Sequence, residues 1–160
     1  MKKLVLAIVA VFALGSVSYS QMHLGARIND GWGLGAELSF QYGLSDANRI
    51  EADLGHSWWG DSYDHRSYTT LSATYQWTFN IVAGFGWFVG PGAQIGLYNR
   101  AGSAVENESY LRLAAVGQIG LEYEFDFPLQ LTLDVRPGFD VLHASDGFVY
   151  SYAFGVRYRF

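Results

Sequence analysis

The chain has 160 residues, half of them hydrophobic, with ten lysines and arginines, fifteen acidic residues and no cysteine. The net charge of −5 and the lack of clustered basic residues exclude a nucleic-acid-binding protein, since that function depends on clustered Lys and Arg. Without cysteine, disulfide arguments say nothing about the compartment. Aromatic residues make up 17% of the chain and there are only three prolines, a composition that suits long β-strands.

The first twenty residues are predicted to be a cleaved export signal. Lys2 and Lys3 precede an apolar run, residues 4–14, and Ser18-Tyr19-Ser20 supplies a small-x-small cleavage site. The run is too short for a membrane anchor, which needs about 20 apolar residues. The predicted mature chain, residues 21–160, is a single domain that has no lysine, and its eight arginines against fifteen acids give a net charge of −7.

Polar and apolar residues alternate through the rest of the chain, and a period of two is the signature of a β-strand with two different faces. Asp30-Gly31 is expected to form a two-residue hairpin. The pattern predicts short turns at 43–48, 80–84 and 126–128, and longer loops at 60–66, 99–109 and 140–147. It predicts eight strands, at residues 21–29, 32–42, 49–59, 67–79, 85–98, 110–125, 129–139 and 148–160.

One face of these strands is apolar and carries aromatic residues toward its ends, as expected for a surface that meets lipid. A soluble barrel with an aromatic core is the alternative, but the opposite face is too highly charged for it. The predicted outward residues are Trp32, Leu34, Ala36, Leu38, Phe40 and Tyr42 on strand two; Leu71, Ala73, Tyr75, Trp77 and Phe79 on strand four; Leu129, Leu131, Leu133, Val135 and Phe139 on strand seven; and Phe148, Tyr150, Tyr152, Phe154, Val156, Tyr158 and Phe160 on strand eight.

The opposite face carries six acids and six arginines, a balance that a nearly dry interior requires because buried charges must be paired. Polar neutral residues accompany them: Gln41, Thr70, Ser72, Thr74, Gln76, Gln94, Gln118 and Thr132. We therefore predict an all-β fold, an eight-stranded antiparallel up-and-down transmembrane barrel whose polar lumen is filled by side chains. The predicted ion-pair network is Arg27, Glu37, Arg49, Glu51, Asp53, Arg112, Glu122, Glu124, Asp134, Arg136, Arg157 and Arg159.

Glycines, prolines and one histidine carry further expectations about the barrel. Interior glycines are expected to make room for the arginines, Phe88 and Tyr98: Gly25, Gly33, Gly35, Gly55, Gly90, Gly92, Gly96 and Gly120. Pro91 and Pro137 fall inside strands, and we expect a bulge with a shift of register at each. His56 points toward lipid and is expected near a rim, beside Trp58.

At this point the chain resembles the small eight-stranded outer-membrane barrels, the group that includes the OmpA transmembrane domain and OmpX. The most specific resemblance is the end of the chain, residues 155–160, where Gly155, Tyr158 and Phe160 match the C-terminal assembly signal of such proteins. The resemblance implies a monomer in the outer membrane of a Gram-negative bacterium, with periplasmic termini, contacts to membrane lipid and insertion by the barrel assembly machinery. It implies no cofactor.

Two functions of different classes remain open. The first is a non-enzymatic surface barrel acting through its loops, where Asp61-Ser62-Tyr63-Asp64 and Glu106-Asn107-Glu108 are candidates to bind a divalent cation or a basic partner. The second is a lipid A deacylase, a type of small barrel that uses a Ser–His pair oriented by a carboxylate. Its candidates are His143, Ser145 and Asp146 or Asp140, although here they lie in a loop and no Glu follows in strand eight.

Other activities are disfavoured. Twelve interior charges argue against a palmitoyltransferase, which must hold an acyl chain, and eight strands leave little space for a narrow channel. The glycines of residues 90–96 lack the spacing and the following helix of a nucleotide-binding loop. His23, His56, His65 and His143 have no metal-ligand spacing, so no metal site is predicted.

Overall fold

The computed structural model describes residues 22–30, 34–60, 64–101, 108–142 and 148–160. No helix long and apolar enough to cross a membrane occurs in these ranges. The eight predicted strands are confirmed, with bounds that differ by three residues or fewer. They are β1 (Met22–Asn29), β2 (Gly35–Ser45), β3 (Asn48–Gly60), β4 (His65–Val82), β5 (Phe85–Ala101), β6 (Glu108–Glu124), β7 (Leu129–Asp140) and β8 (Phe148–Arg159).

The strands form one closed antiparallel barrel in which each pairs with the next and β1 pairs with β8. Closure leaves no free sheet edge, and this is the condition that lipid imposes on a β-structure. The predicted up-and-down topology is confirmed. Phe160 donates its backbone N–H to the Met22 carbonyl at 2.9 Å, so both chain ends meet at one end of the barrel. We call this the terminal end and the other the loop end.

The connections differ between the two ends. At the terminal end, residues 46–47, 83–84 and 125–128 join the strands, and Ala83 and Gly84 both have left-handed φ angles, 33° and 80°. At the loop end the connections span 30–34, 61–64, 102–107 and 141–147. The predicted asymmetry is confirmed, but the two-residue hairpin is wrong: Asn29 pairs with Gly35, so five residues join β1 to β2. Trp32 and Gly33 lie outside the described residues.

The outer surface is apolar, as the alternation predicts. Leu38, Leu54, Leu71 and Leu133 are exposed in its middle. Aromatic residues pack against one another nearer the ends. Phe79 stacks on Trp87 with ring centroids 4.4 Å apart, and His56 stacks on Trp58 at 5.9 Å, where it was expected.

Pro91 and Pro137 interrupt the sheet in a different way from the one predicted. Pro91 pairs with Gly117 of β6, and Pro137 pairs with Tyr150 of β8. On the other side of each proline the pairing is interrupted, between β5 and β4 at Pro91 and between β7 and β6 at Pro137. Beyond each interruption the strands pair again in the same register. The predicted register shifts are wrong. A residue in an antiparallel sheet directs its N–H and C=O to one neighbour, so proline's missing donor opens one ladder without an inserted residue.

Glycines bring the wall of the barrel close to its contents. A Cβ on Gly25 would lie 2.6 Å from Arg157 Cα, and one on Gly120 would lie 2.5 Å from Phe88 Cζ and 2.6 Å from Asp134 Cβ. All three distances are far inside van der Waals contact. The barrel can hold large arginine and phenylalanine side chains because its wall lacks side chains at these points.

We expect Gly120→Ala to lower the free energy of unfolding by about 1–3 kcal/mol, because the added methyl overpacks the lumen against Phe88. Gly117→Ala is the matched control on the same strand. It points outward, and its Cβ would lie 3.5 Å from Pro137 Cγ, an ordinary contact. Urea titration of the refolded barrel measures both. Equal losses from the two variants would contradict this account of the lumen.

Candidate functional site

The middle of the lumen contains a layer of buried charged side chains from five strands. Arg27 is at its centre. Its Nη1 donates to Glu51 Oε1 at 2.7 Å and to Asp53 Oδ2 at 2.9 Å, and its Nη2 donates to both Asp134 oxygens at 2.6 and 2.8 Å. We call this set the central layer: Arg27, Glu37, Glu51, Asp53, Asp134, Arg136 and Arg157.

Glu51 is the best satisfied carboxylate of the central layer. It is fully buried, and Arg27 and Gln118 donate to Oε1, the latter at 2.9 Å. Its Oε2 accepts from Gln41 at 2.6 Å and from Arg157 at 2.9 Å. Hydrogen bonds of this number and kind are what allow a charge to remain buried.

Arg136 links β7 to β3 and β4. Its Nη2 donates to Asp53 Oδ2 at 2.6 Å, and its Nη1 donates to Ser72 Oγ at 3.0 Å. Glu37 is held less closely, 3.4 Å from Arg27 Nη1 and 3.8 Å from Arg136 Nη1.

Further ion pairs lie on either side of the central layer. Toward the terminal end, Arg49 pairs with Glu122 at 2.5 Å and lies 4.8 Å above the Phe88 ring. Toward the loop end, Arg112 Nε donates to Asp140 Oδ2 at 2.6 Å. Both pairs are buried, so ionic contacts fill the lumen over most of its length.

The lumen also contains two cavities, separated by the central layer. The loop-side cavity is about 30 Å³ and is lined by Glu37, Arg136 and neutral polar residues such as Ser57 and Gln94. The terminal-side cavity is about 290 Å³, is polar, and opens beside His23. His23 is buried there, with Nε2 3.6 Å from Glu124 Oε1.

Four strands project beyond the others at the loop end. Pairing of β6 with β7 stops at Ala114, whereas β3 to β6 stay paired out to the row that contains Trp59 and Glu108. The first six residues of β6, 108–113, therefore extend about 20 Å further, at about 3.4 Å per residue. We call this part of β3–β6 the projecting wall.

The side of the projecting wall that faces the barrel axis carries aromatic and charged residues. The Tyr98 ring lies 6.0 Å from that of Trp59 and 4.7 Å from that of Tyr110. Beyond them, Arg66 and Arg100 both donate to the Asp64 carboxylate, with Nη2–Oδ2 distances of 2.7 and 2.9 Å. The hydrogen bonds from Arg100, which have the larger effect, and from Arg66 hold the pKa of Asp64 well below its usual range. This carboxylate therefore stays charged.

Comparison with known proteins rests on structure alone. No protein-family model matches the sequence, and no curated protein is detectably similar to it. Solved structures do match over nearly the whole chain. A major outer membrane protein from Thermus thermophilus superposes with a TM-score of 0.70 at 13% identity, covering 89% of this chain and 100% of that one. The fold is that of the eight-stranded outer-membrane barrels.

Two further barrels of this fold are similar. The N-terminal barrel domain of Pseudomonas aeruginosa OprF has a TM-score of 0.67 at 18% identity, covering 89% of this chain and all of that one. Ail, the attachment invasion locus protein of Yersinia pestis, has a TM-score of 0.62 at 17% identity, covering 88% and 97%. At these identities the likeness establishes the fold and leaves the role of the protein open.

Within this outer-membrane barrel fold, the twelve residues of the predicted ion-pair network all lie on the inward side of their strands. Ten are buried. The other two, Glu124 and Arg159, lie at the terminal mouth with about a third of each side chain exposed, and they pair at 3.0 Å. Sequence reasoning missed His23, Ser39, Gln130 and Asp140, which are also buried inside. Ser39 lies between the inward residues Glu37 and Gln41, and following the alternation to the ends of β1 and β7 would have found the other three.

The structure corrects the predicted position of Asp140. The sequence placed it in a loop and offered it as a carboxylate that could orient His143. It is instead the last residue of β7, buried, and bound to Arg112 and to the backbone N–H of Leu142. Asp140 is therefore part of the strand and of the lumen rather than of the loop. The other deacylase candidates, His143, Ser145 and Asp146, lie outside the described residues.

The loop acids show no cation site in the part of the chain that the structure describes. Asp64 is bound by two arginines, and no group of three or more His, Cys, Asp or Glu side chains could hold a metal ion there. Asp61, Ser62, Tyr63, Glu106 and Asn107 are outside the described residues, and Glu108 is exposed.

The residues of the predicted assembly signal lie on both sides of β8. Gly155 faces the lumen, where a Cβ would lie 3.0 Å from Arg27 Cγ. Tyr158 and Phe160 face outward with ring centroids 5.1 Å apart. Their exposure leaves them on the surface that lipid or another protein would meet, and the signalling role stays a prediction.

Proposed function

We propose that this protein is a non-enzymatic, monomeric barrel of the outer membrane of a Gram-negative bacterium, which contacts a partner outside the cell through its loop end. Residues 1–20 direct export, and the barrel assembly machinery inserts the mature chain with periplasmic termini. The observation that carries the proposal is the combination of an apolar exterior with a lumen filled by ion pairs. Such a lumen supports neither a channel nor an acyl-chain site, which leaves the loop end for function.

The projecting wall provides the surface for such a contact. Its strands β4, β5 and β6 have 18, 17 and 17 residues, whereas a transmembrane strand needs about 9–11. Trp, Tyr and Arg dominate the energetics of protein interfaces, and Trp59, Tyr98, Tyr110, Arg66 and Arg100 are all on this wall.

The charge at the loop end favours a basic partner. The connections and rims there carry six acids, Asp30, Asp61, Asp64, Glu106, Glu108 and Asp146, against two arginines. Both arginines donate to Asp64, so the remaining acids set the sign of the surface potential. Complementary potentials steer association and select partners.

Cysteine labelling tests the orientation. The chain has no cysteine, so single cysteines can be placed at Ser109 on the projecting wall and at Ala47 in a terminal-end turn, both of which are exposed. A membrane-impermeant maleimide applied to intact cells is expected to label Ser109→Cys alone, and Ala47→Cys only after the cells are lysed. The opposite pattern would overturn the proposed orientation.

Binding of a basic probe tests the interaction. The barrel in nanodiscs of zwitterionic lipid is expected to bind an oligolysine peptide in a salt-dependent way, and Asp30→Asn with Glu108→Gln is expected to weaken that binding several-fold. Asp46→Asn with Asp126→Asn removes the same charge from exposed positions at the terminal end and is the control.

A polyanion provides the contrasting probe. Ail has been crystallised with the heparin analogue sucrose octasulfate. We expect this barrel not to bind that compound, because the loop end is acidic. Tight binding of sucrose octasulfate, or equal weakening of oligolysine binding by both variant pairs, would contradict the proposed basic partner.

A further inference from the structure

The central layer has one negative charge too many. Its guanidiniums are Arg27, Arg136 and Arg157, and its carboxylates are Glu37, Glu51, Asp53 and Asp134. The neighbouring pairs Arg49–Glu122 and Arg112–Asp140 are each balanced. Arg159 offsets Glu124 at the terminal mouth, where His23 also lies. The other two described arginines, Arg66 and Arg100, lie on the projecting wall and bind Asp64, so no described arginine within the lumen remains to neutralise the fourth carboxylate.

An uncompensated carboxylate is very costly in a dry interior, and a group in that position commonly binds a proton and becomes neutral. The hydrogen bonds show which of the four acids is least stabilised as an anion. Glu51 and Asp134 accept hydrogen bonds at both oxygens. Asp53 Oδ1 has no partner among the described residues, but Asp53 Oδ2 accepts from Arg27 at 2.9 Å and from Arg136 at 2.6 Å. Glu37 has only the two longer ionic contacts, and its Oε2 has no hydrogen-bond partner among the described residues.

Glu37 also lies where a proton could enter. It forms part of the loop-side cavity, whose volume of about 30 Å³ is enough for a water molecule with polar neighbours. Gly55 leaves space for the glutamate chain, since a Cβ there would lie 3.0 Å from Glu37 Cγ. The other polar residues of the cavity come from β1, β3, β4, β5, β7 and β8: Asn29, Ser57, Tyr68, Thr70, Gln94, Arg136 and Ser151.

We propose that Glu37 is a proton-binding site of the folded barrel, occupied at neutral pH and in exchange with solvent through the loop-side cavity. One proton added to one Glu37 oxygen brings the central layer to three anions and three guanidiniums. The neutral carboxyl then donates its O–H into the cavity, where hydroxyl and amide oxygens can accept it directly or through water. A proton suits this site better than a metal ion because Glu37 is the single carboxylate of the cavity and the Arg136 guanidinium also lines it.

Infrared spectroscopy tests the proposal directly. The full-length mature barrel is refolded in an ester-free detergent, unlabelled and with ¹³C-glutamate. At pH 7 we expect a carbonyl band from one protonated carboxylic acid, which shifts with glutamate labelling and again on transfer to D₂O. Glu37→Gln is expected to abolish the band, whereas Glu122→Gln, which alters a glutamate paired with Arg49, is expected to leave it.

A second variant keeps the test independent of Glu37 itself. Asp134→Asn removes one negative charge from the central layer, so Glu37 should ionise and the band should disappear although Glu37 is unchanged. Absence of a protonated-carboxyl band in the wild type would overturn the proposal. So would a band that persists in Glu37→Gln or in Asp134→Asn.

Discussion

Replacement of Arg27 by methionine is expected to lower the free energy of unfolding by about 3–5 kcal/mol, the largest effect that we predict for a single residue. The Arg27 guanidinium makes short contacts with Glu51, Asp53 and Asp134, at 2.7, 2.9 and 2.6 Å. Methionine keeps much of the volume and removes the charge. Three buried carboxylates then lose a shared cationic partner. The cost of keeping these charges buried without it exceeds the net contribution of the ion pairs themselves.

Arg159→Met is the matched control for Arg27→Met. Arg159 also pairs with a glutamate, Glu124 at 3.0 Å, but about a third of each side chain is exposed. Solvent screens such a pair, so the expected loss is about 0–1 kcal/mol. Urea titrations of both refolded variants give the comparison. A loss for Arg27→Met as small as that for Arg159→Met would mean that water solvates the central layer.

Much of this lumen could be predicted from the sequence because a β-strand has a side-chain period of two. Once Arg27, Glu51 and Arg157 are assigned to inward positions, every second residue on their strands must also point inward. In a closed barrel all inward positions share one narrow interior. Charge balance then indicates ion pairs without identifying the partners.

The partners themselves could not be predicted. Arg27 and Asp134 are 107 residues apart, and Arg157 and Glu51 are 106 apart. Which side chains meet across the lumen depends on the stagger of the strands around the barrel, and local sequence does not contain that quantity. For the same reason the weakly held position of Glu37 is visible only in the structure.

Strands β3 to β7 were predicted too short at the loop end for a different reason. At the tip of the projecting wall the outward residues are polar, such as Ser67, Asn99 and Ser109, so the alternation that marks a lipid-facing strand disappears although pairing continues. Asp140 was assigned to the loop that follows the predicted strand 129–139. Its ion pair with Arg112 shows that the strand continues.

Leu133→Arg tests the assignment of inside and outside. Leu133 is in the middle of β7, pairs with Leu121 and Phe154, and has 57% of its surface exposed on the outer face. An arginine at the midplane of a lipid-facing surface costs about 2–4 kcal/mol, and we expect that loss in the free energy of unfolding from vesicles. The cost arises because the guanidinium must leave water or draw water and headgroups into the bilayer.

Leu142→Arg is the control that separates membrane depth from exposure. Leu142 is 54% exposed, nearly the same as Leu133, but it lies beyond the end of β7 at the loop end. The penalty for arginine falls to about 0–1 kcal/mol near the interface, so this variant should unfold almost like the wild type. Equal and small losses would mean that the face around Leu133 is solvated. Equal and large losses would place Leu142 within the hydrocarbon layer and shorten the projecting wall. Only a large difference between two equally exposed leucines fits a bilayer that surrounds the middle of this barrel.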